Sequence, residues 1–404
     1  MLVVVCPQPD GTVVVQDVDR AEPGLPVVAE EAVDADDLPA LVRAREAAAA
    51  PDGTAPDAGL RWVWADTAAT YPALLDADVR VDRCWDLRLC RTILRGSALT
   101  ARTPYASAPR SAWDDARTAA APEGLFDLTP PVALDPLREL REQQRALTAA
   151  VGKDGRPESS RLWLLLAAES AGALVAAEMT FAGVPWDVVE HDRLLTELLG
   201  PRPAPGFRPA LLEAKAAQVS AALGVGEINP DSPVELLRSM RLAGLPATST
   251  RSWELEQIDH PAIAPLLEYK KMSRLMTANG WHWLDTWVAD GRFRPVYVPG
   301  GVVTGRWASD GGGALQLPHQ VRSAVRADPG WVLVVADAAQ LEPRILAAMS
   351  GDEAMATAGQ AADMYEGMVT TGAVATRQQA KFGMLGAMYG GTQGESGRML
   401  PRIT

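Results

Sequence analysis

The chain has 404 residues, of which 48% are hydrophobic and 22% charged, so it is too long for one ordinary core and too apolar to be disordered throughout. The net charge is −13, and the excess of acidic residues lies in residues 1–259, because residues 260–404 carry 13 Lys/Arg against 12 Asp/Glu. The negative net charge excludes general nucleic-acid binding but not binding by a local basic cleft in the last third of the chain. The three cysteines lie outside any CxxC pair, which excludes a disulfide scaffold, and the four histidines are scattered, which excludes a histidine-rich metal site. The sequence shows no signal peptide and no apolar run long enough for a membrane span, so we expect a cytoplasmic protein.

The N-terminal part begins with short β-rich runs. The sequence PQPDG (residues 7–11) between the first two predicts a hairpin turn. A later run, DLRLCRTIL, predicts a helix that buries Leu87, Cys90 and Leu94. The predicted elements are strands at Leu2–Cys6, Thr12–Val18 and Arg61–Trp64, helices at Leu38–Ala49 (capped by Asp37) and Asp86–Leu94, a loop at 50–59 and irregular structure at 98–136.

The middle of the chain is predicted to be mostly helical. A long Ala/Leu run, Arg161–Phe181, predicts one helix that Gly183 ends. Ser232, followed by proline and by Glu235, predicts a capping box at a later helix start. Further helices are predicted at 187–199, 208–223, 233–244 and 261–289.

The sequence WVLVVADAAQLEPRILAAMSGD (331–352) contains the first candidate site. It predicts a buried strand, Trp331–Ala336, that ends at Asp337 and is followed by a tight turn and a helix. The predicted helix has Pro343 in its first turn, packs Ile345, Leu346 and Met349 inward, and ends at Gly351. A carboxylate at the end of a buried strand suits a hard cation such as Mg²⁺. The alternative is an aspartate that only caps the helix or the turn.

A second candidate site is TRQQAKFGMLGAMYGG (376–391). Thr376 can cap this predicted helix, and Arg377, Lys381, Leu385 and Met388 fall on one face. Two cations beside apolar side chains could hold a triphosphate and a base together. The alternative is an amphipathic helix whose two cations are merely solvated.

The third candidate site is the glycine-rich sequence that follows a predicted strand pair around Phe293–Val302. Glycines at 311–313 allow close backbone approach, which fits contact with a nucleic-acid phosphate; a flexible loop is the alternative. The polar residues interleaved with these glycines are Thr304, Arg306, Gln316, Gln320, Arg322 and Arg326.

Together these stretches resemble family A DNA polymerases, the bacterial DNA polymerase I group. VVADAAQLEPRILAAMSGD resembles motif A (DYSQIELRxxAHLSGD), RQQAKFGMLGAMYGG resembles motif B (RxxxKxxxFGxxYG), and TGRWASDGGGALQLP resembles TGRLSSxxPNLQNIP, in the family's order. LEYKKMSRL resembles the LEYRxLxKL helix of the thumb. The subgroup it resembles most is the actinobacterial bifunctional 3′-5′ exonuclease/DNA polymerase.

The resemblance implies an α+β multidomain fold, in which a degenerate exonuclease-like α/β domain precedes a right-hand polymerase with a thumb, partial palm and partial fingers. The implied segments are 1–155 (exonuclease-like), 156–290 (palm-entry helix and thumb), 291–355 (palm with motif A) and 356–404 (fingers with motif B). The implied partners are primer–template DNA and deoxynucleoside triphosphates, without a membrane. We expect a monomer in the cytoplasm, associated with the nucleoid.

The resemblance also implies the role of individual residues. Asp337 would be catalytic and, with the backbone carbonyl of Ala338, would bind Mg²⁺ in a two-ion site. The residues implied to bind the nucleotide are Gln340 and Glu342 at the sugar, Arg377 and Lys381 at the triphosphate, and Leu385 and Tyr389 near the base. The residues implied to contact DNA are Thr304, Arg306, Gln316, Arg322 and Gly390.

Several positions depart from the family pattern. Ala338 replaces the motif A tyrosine, and Leu385 stands where the family has Phe or Tyr, so sugar discrimination and stacking are expected to differ. The chain stops at Thr404 with no HDE sequence of motif C, so we expect a truncated polymerase with an impaired site that lacks its second carboxylate.

The N-terminal segment is expected to have no proofreading activity. Its first strand, LVVVC, carries no carboxylate, and the NxxxD aspartate of the family falls near Thr70. Three hypotheses follow: a template-directed DNA polymerase, a non-catalytic remnant that binds primer–template DNA, and a ribonuclease D-like nuclease that acts through Asp17 and Asp19.

Overall fold

A computed structural model of the protein describes residues 1–49, 59–115, 134–152, 154–360, 362–370, 372 and 374–391. The chain divides into two compact units, residues 1–328 and 329–404. The predicted α+β character is confirmed, since helices and small sheets alternate along the described residues. Residues 50–58 of the predicted loop at 50–59, and residues 116–133 of the predicted irregular segment 98–136, lie outside the described residues.

A mixed sheet forms the centre of the N-terminal part. Among the described residues its strand order is β3-β2-β1-β4-β5; β1, β2 and β3 are antiparallel neighbours, and β4 and β5 run parallel to β1. Both faces of β1 are buried, which explains its uninterrupted apolar sequence. The strands are β1 (Leu2–Pro7), β2 (Thr12–Val18), β3 (Val27–Asp34), β4 (Arg61–Trp64) and β5 (Cys84–Asp86).

Helices cover this sheet, and the predicted ones are confirmed. Asp37 does not cap the first, because a 3₁₀ turn, Ala35–Asp37, leads directly into it. Asp86 caps the third, whose buried face includes the predicted Leu87, Cys90 and Leu94. The helices are α1 (Leu38–Ala49), α2 (Thr67–Asp76), α3 (Leu87–Gly96), α4 (Pro104–Ser107), α5 (Pro136–Thr148) and α6 (Ser159–Ala182).

By length and composition α6 could cross a membrane, with a mean hydropathy of 1.5 over 18 residues. The prediction that no segment would qualify therefore does not hold for this helix. About a third of that window is buried, and α6 packs against α2, α3 and β5. Its Glu178 accepts hydrogen bonds from Tyr71 and Arg80. Buried core helices pass the same test, so one such helix is weak evidence for a span.

The helical region that follows agrees with the sequence except at two points. The predicted helix 261–289 is two helices, broken at Gly280, where an added Cβ would lie 2.2 Å from the carbonyl oxygen of Met276. Ser232 caps its helix, but the Glu235 carboxylate accepts from Asn229 N instead of closing the box. The helices are α7 (Val188–Leu199), α8 (Ala210–Leu223), α9 (Pro233–Leu242), α10 (Ser252–Leu255), α11 (Ile263–Asn279) and α12 (Trp281–Trp287).

Very short strands complete the first unit. The strand pair predicted around Phe293–Val302 is divided between two small sheets, with neighbours β6-β8-β7 and β9-β10. These strands are β6 (Val184–Pro185), β7 (Val288–Ala289), β8 (Arg292–Phe293), β9 (Tyr297–Val298) and β10 (Ala308–Ser309).

In the second unit, the predicted strand Trp331–Ala336 is absent. The segment has no regular structure and is exposed (Val335 by 92%), because no described strand lies beside it to share backbone hydrogen bonds. The described helices are α13 (Leu341–Ser350), α14 (Glu353–Gln360), α15 (Met364–Thr370) and α16 (Arg377–Met388).

The prediction of which residues α13 buries is also wrong. Ile345, Leu346 and Met349 are exposed, whereas Pro343 and Ala347, one turn apart, are buried. Two small residues on the inner face allow close packing, and the larger side chains lie outside it. The end of α13 at Gly351 is confirmed, with φ of 70°.

Candidate active site

Asp337 follows the irregular segment 331–336 and is exposed. Within the described residues its carboxylate makes no hydrogen bond or ion pair. It does not cap α13, because the N-cap position is Gln340. The alternative of a helix-capping aspartate is therefore not supported, and the carboxylate is accessible to a ligand.

Gln340 connects this turn to α15. It adopts a left-handed backbone conformation with φ of 54°. Its side-chain Oε1 accepts from Met364 N at 2.7 Å, and its Nε2 donates to Asp363 Oδ1 at 2.8 Å. The left-handed turn thus directs the amide toward the start of α15.

Arg377 is the first residue of α16, which Thr376 caps as predicted. The Arg377 Nε donates to Asp363 Oδ2 at 2.6 Å, and the guanidinium lies 5.6 Å from the Tyr365 ring centroid. The hydrogen bond with Arg377 lowers the pKa of Asp363, and the same bond raises the pKa of Arg377. Asp363 therefore joins the turn after Asp337 to the start of α16.

The rest of the predicted α16 face runs from exposed to half-buried. Lys381 is exposed, and Leu385 and Met388 are half-buried. Tyr389 directly follows the helix, and its hydroxyl donates to Glu342 Oε2 at 2.6 Å. Gly390 comes next, with φ of 68°. The second unit thus links Gln340 to Arg377 by two hydrogen bonds through Asp363, and Tyr389 to Glu342 by a third.

Sequence reasoning missed Asp363. A local signal exists, because an aspartate with Glu366 three residues later is a spacing typical of a helix start, but no helix was predicted at this position. Its contacts with Gln340 and Arg377 could not be read from that pattern, since they join residues 23 and 14 positions away.

Apart from Gly390, the residues expected to contact DNA lie in the first unit, and they are exposed. Thr304 and Arg306 lie in a turn closed by Val302 N and the Arg306 carbonyl at 3.3 Å. Gln316 ends a short 3₁₀ turn, and Arg322 donates to the Leu317 carbonyl at 3.2 Å. Arg326 is committed to an ion pair with Asp187 at 2.7 Å.

The glycine cluster at 311–313 serves packing. A Cβ on Gly311 would lie 2.1 Å from the Trp287 ring, and one on Gly312 would lie 2.9 Å from the Phe293 ring. Both glycines have positive φ, and the Gly312 carbonyl accepts from Trp283 Nε1 at 2.8 Å. The first two glycines are therefore fixed against aromatic rings, which the sequence did not indicate.

The donors for the predicted Mg²⁺ site are the Asp337 carboxylate and the Ala338 carbonyl. No group of three or more His, Cys, Asp or Glu side chains able to hold a metal occurs in the described part of the chain. Mg²⁺ is commonly held by one or two carboxylates together with substrate phosphates. The residues present therefore fit a site that the phosphates complete.

The carboxylates of the N-terminal sheet are engaged in structure. Asp17 pairs with Arg45 at 2.5 Å, and Asp19 accepts from Ala21 N. Asp86 is fully buried, and burial raises the pKa of its carboxyl. These contacts give no support to the nuclease hypothesis.

Comparison with known proteins identifies relatives of the second half of the chain. Residues 211–398 match the family model described as DNA polymerase family A. DNA polymerase I of Chloroflexus aurantiacus is 31% identical over 147 residues, 33% of this chain and 15% of that protein. The thermostable DNA polymerase I of Thermus thermophilus is 28% identical over 222 residues, 48% of this chain and 24% of that protein. The chain thus spans less than a quarter of these relatives.

A solved structure shows the same fold. The POL domain of Pol1 from M. smegmatis, in complex with DNA primer-template and dNTP, has a TM-score of 0.59 and 18% sequence identity. The likeness covers 99% of this chain and 69% of that one. The family match, the relatives and the ordered motifs agree: residues 211–398 of this chain are similar to DNA polymerase family A.

Proposed function

We propose that this chain acts as a template-directed DNA polymerase, adding deoxynucleotides to a primer 3′ end in DNA replication or repair. The observation that carries the proposal is the junction in the second unit, where Asp363 joins the turn after Asp337 to the helix that begins with Arg377. The relatives named DNA polymerase I, and the solved polymerase domain bound to primer-template and dNTP, support the same substrates.

Arg377 and Lys381 would hold the triphosphate. They lie one turn apart at the start of α16, where the helix dipole also favours an anion. Charged donors fixed before the reaction stabilise the negative charge that develops on the leaving pyrophosphate. The exposure of both side chains leaves them accessible to the nucleotide.

Glu342 and Tyr389 would line the sugar and base. Their hydrogen bond at 2.6 Å holds the carboxylate against the end of α16. A carboxylate at this place would exclude a 2′-hydroxyl, and Gln340 lies in the adjoining turn. Leu385, half-buried on α16, would offer the base apolar surface without a stacking ring.

The Asp337 carboxylate and the Ala338 carbonyl would hold Mg²⁺. The bound metal would supply Lewis acidity to the primer hydroxyl and the phosphoryl oxygens, in a two-ion site if a second carboxylate joins Asp337. Asp337 itself would contribute the anionic ligand that holds this charge.

Primer–template DNA would be held by the exposed residues of the first unit, Thr304, Arg306, Gln316 and Arg322, and by Gly390. Cations that contact phosphates make binding fall as salt rises. We propose a monomer that works in the cytoplasm at the nucleoid.

The test is primer extension on a recessed duplex with Mg²⁺ and four deoxynucleotides. Asp337→Ala is expected to reduce extension at least about 100-fold, because a ligand of the metal is lost. The matched control Glu353→Gln removes an exposed carboxylate of the same unit and is expected to stay within about twofold of the unchanged chain. Equal extension by Asp337→Ala would overturn the proposal.

A second candidate is a non-catalytic protein that binds primer–template DNA. It is favoured by the finding that the described residues offer no cluster of three metal-binding side chains. Salt-sensitive duplex binding without extension, unchanged by Asp337→Ala, would support this candidate over the first.

A further inference from the structure

The Arg377 guanidinium takes part in a hydrogen bond through only one of its three nitrogens among the described residues. Its Nε donates to Asp363, and within the described residues Nη1 and Nη2 donate no hydrogen bond. The side chain is 47% exposed, whereas that of Asp363 is 26% exposed. A carboxylate at Nε and a ring beside the guanidinium fix its plane, while the two terminal nitrogens stay available. Terminal guanidinium nitrogens are the pair that binds a phosphate in a bidentate manner.

Asp363 is itself held rigidly. Its Oδ1 accepts from Gln340 Nε2, from Tyr365 N at 2.9 Å and from Glu366 N at 3.4 Å. The remaining oxygen, Oδ2, accepts from Arg377. One oxygen therefore anchors the carboxylate to α15 and to the turn after Asp337, and the other orients the arginine.

We propose that Asp363 is a positioning residue for the triphosphate: it holds Arg377 through Nε so that the terminal guanidinium nitrogens present themselves to the phosphates. This inference rests on the proposed function and adds to it a residue that does not itself touch the nucleotide. Through Gln340, the same carboxylate fixes the distance between that arginine and the turn that carries Asp337.

The sign of the effect distinguishes positioning from simple electrostatics. Removing a negative charge beside an anion site should strengthen anion binding by Coulomb's law. Removing a carboxylate that orients the binding arginine should weaken it, because the arginine must then be ordered when the anion binds. Asp363→Asn keeps the shape and an Oδ1 acceptor, but its amide faces the Arg377 Nε donor and cannot accept from it.

The matched control is Glu366→Gln. Glu366 is exposed on α15, the helix that Asp363 precedes, and its negative charge acts on Arg377. In the described residues no hydrogen bond joins the side chains of Glu366 and Arg377. The control removes the same charge without removing the orienting bond. It is expected to leave the affinity for an anion unchanged or slightly higher.

The experiment is calorimetric titration of the full chain with inorganic triphosphate. We expect the Kd to rise about tenfold for Asp363→Asn, the scale of one lost charge-assisted hydrogen bond. Arg377→Ala should also raise the Kd, and the double variant should bind no more weakly than Arg377→Ala alone, because Asp363 acts through that arginine.

In primer extension, Asp363→Asn should raise the KM for the nucleotide about tenfold and change kcat less than about twofold. Circular dichroism and thermal unfolding of each variant verify folding.

The outcomes separate this inference from the proposed function. Tighter or unchanged triphosphate binding by Asp363→Asn, with binding lost in Arg377→Ala, overturns the inference and leaves the nucleotide site in place. A further loss in the double variant beyond Arg377→Ala also overturns it. Equal binding by the unchanged chain and Arg377→Ala overturns the nucleotide site itself, and the inference with it.

Discussion

Asp86 in the first unit is the last residue of β5, and Asp337 in the second directly follows the irregular segment 331–336, yet their surroundings are opposite. Asp86 is fully buried at the end of β5, where Oδ2 accepts from Thr67 N at 2.8 Å and Oδ1 from Leu89 N at 2.9 Å. Asp337 is exposed and makes no such bond within the described residues. The Asp86 carboxylate therefore accepts hydrogen bonds from the first turns of α2 and α3, whereas the Asp337 carboxylate is accessible to a ligand.

The largest expected effect tests this contrast directly. Asp86→Ala should lower the free energy of unfolding by about 4 kcal/mol, because two buried N–H groups lose their acceptor. Asp337→Ala should change it by less than about 0.5 kcal/mol, since the side chain is exposed. Urea unfolding followed by tryptophan fluorescence measures both. Similar losses in the two variants would show that Asp337 is also a structural residue.

A second pair compares glycines of the two units. Gly311→Ala should cost about 3 kcal/mol, because the new Cβ would meet the Trp287 ring at 2.1 Å on a backbone with positive φ. Gly351→Ala, also at positive φ but with nothing within 4 Å, should cost about 1 kcal/mol. The same urea titrations measure the difference, and equal costs would mean that the aromatic cluster yields to the methyl group.

The sequence predicted elements well where local pattern decides them. The buried run of β1, the hairpin to β2 and the capped start of α16 depend on neighbouring residues, and all are present. Strand β3 was missed because it lies at the edge of the sheet and carries Glu30 and Glu31, and β5 because three residues make a strand only through pairing with β4.

Where long-range partners decide, the sequence predicted less. Residues 331–336 have strong β propensity, but a strand needs a neighbour, and no described strand supplies one. The sequence predicts that Gln340, Glu342 and Arg377 share a site, but it did not predict that the Asp363 carboxylate joins Gln340 to Arg377, because those contacts span 23 and 14 positions. The assignment of roles to these residues stays a prediction for the experiments above.

The smallest expected effect is on the pH dependence of the free energy of unfolding, which should differ between the two units. His191 is fully buried; its Nδ1 accepts from Trp186 Nε1 at 3.1 Å, so its Nε2 carries the proton donated to the Asn279 carbonyl at 2.9 Å. Burial lowers the pKa of His191, although the neighbouring Asp192 opposes that shift. In the second unit, the pair with Arg377 lowers the pKa of Asp363 from its usual 3.8.

These two directions place acid sensitivity in different pH ranges. Below about pH 6.5 the unfolded chain protonates His191 while the folded chain does not, so stability should fall by up to about 1.4 kcal/mol per pH unit. The Asp363 contribution is present above its ordinary pKa and is lost only at lower pH, so the first unit should weaken first. Unfolding measured from pH 7.5 to 5 should show a shallower slope for His191→Gln, while His282→Gln, at an exposed position of α12, should keep the original slope. Parallel slopes for all three chains would mean that the buried imidazole accepts a proton without loss of its Trp186 contact.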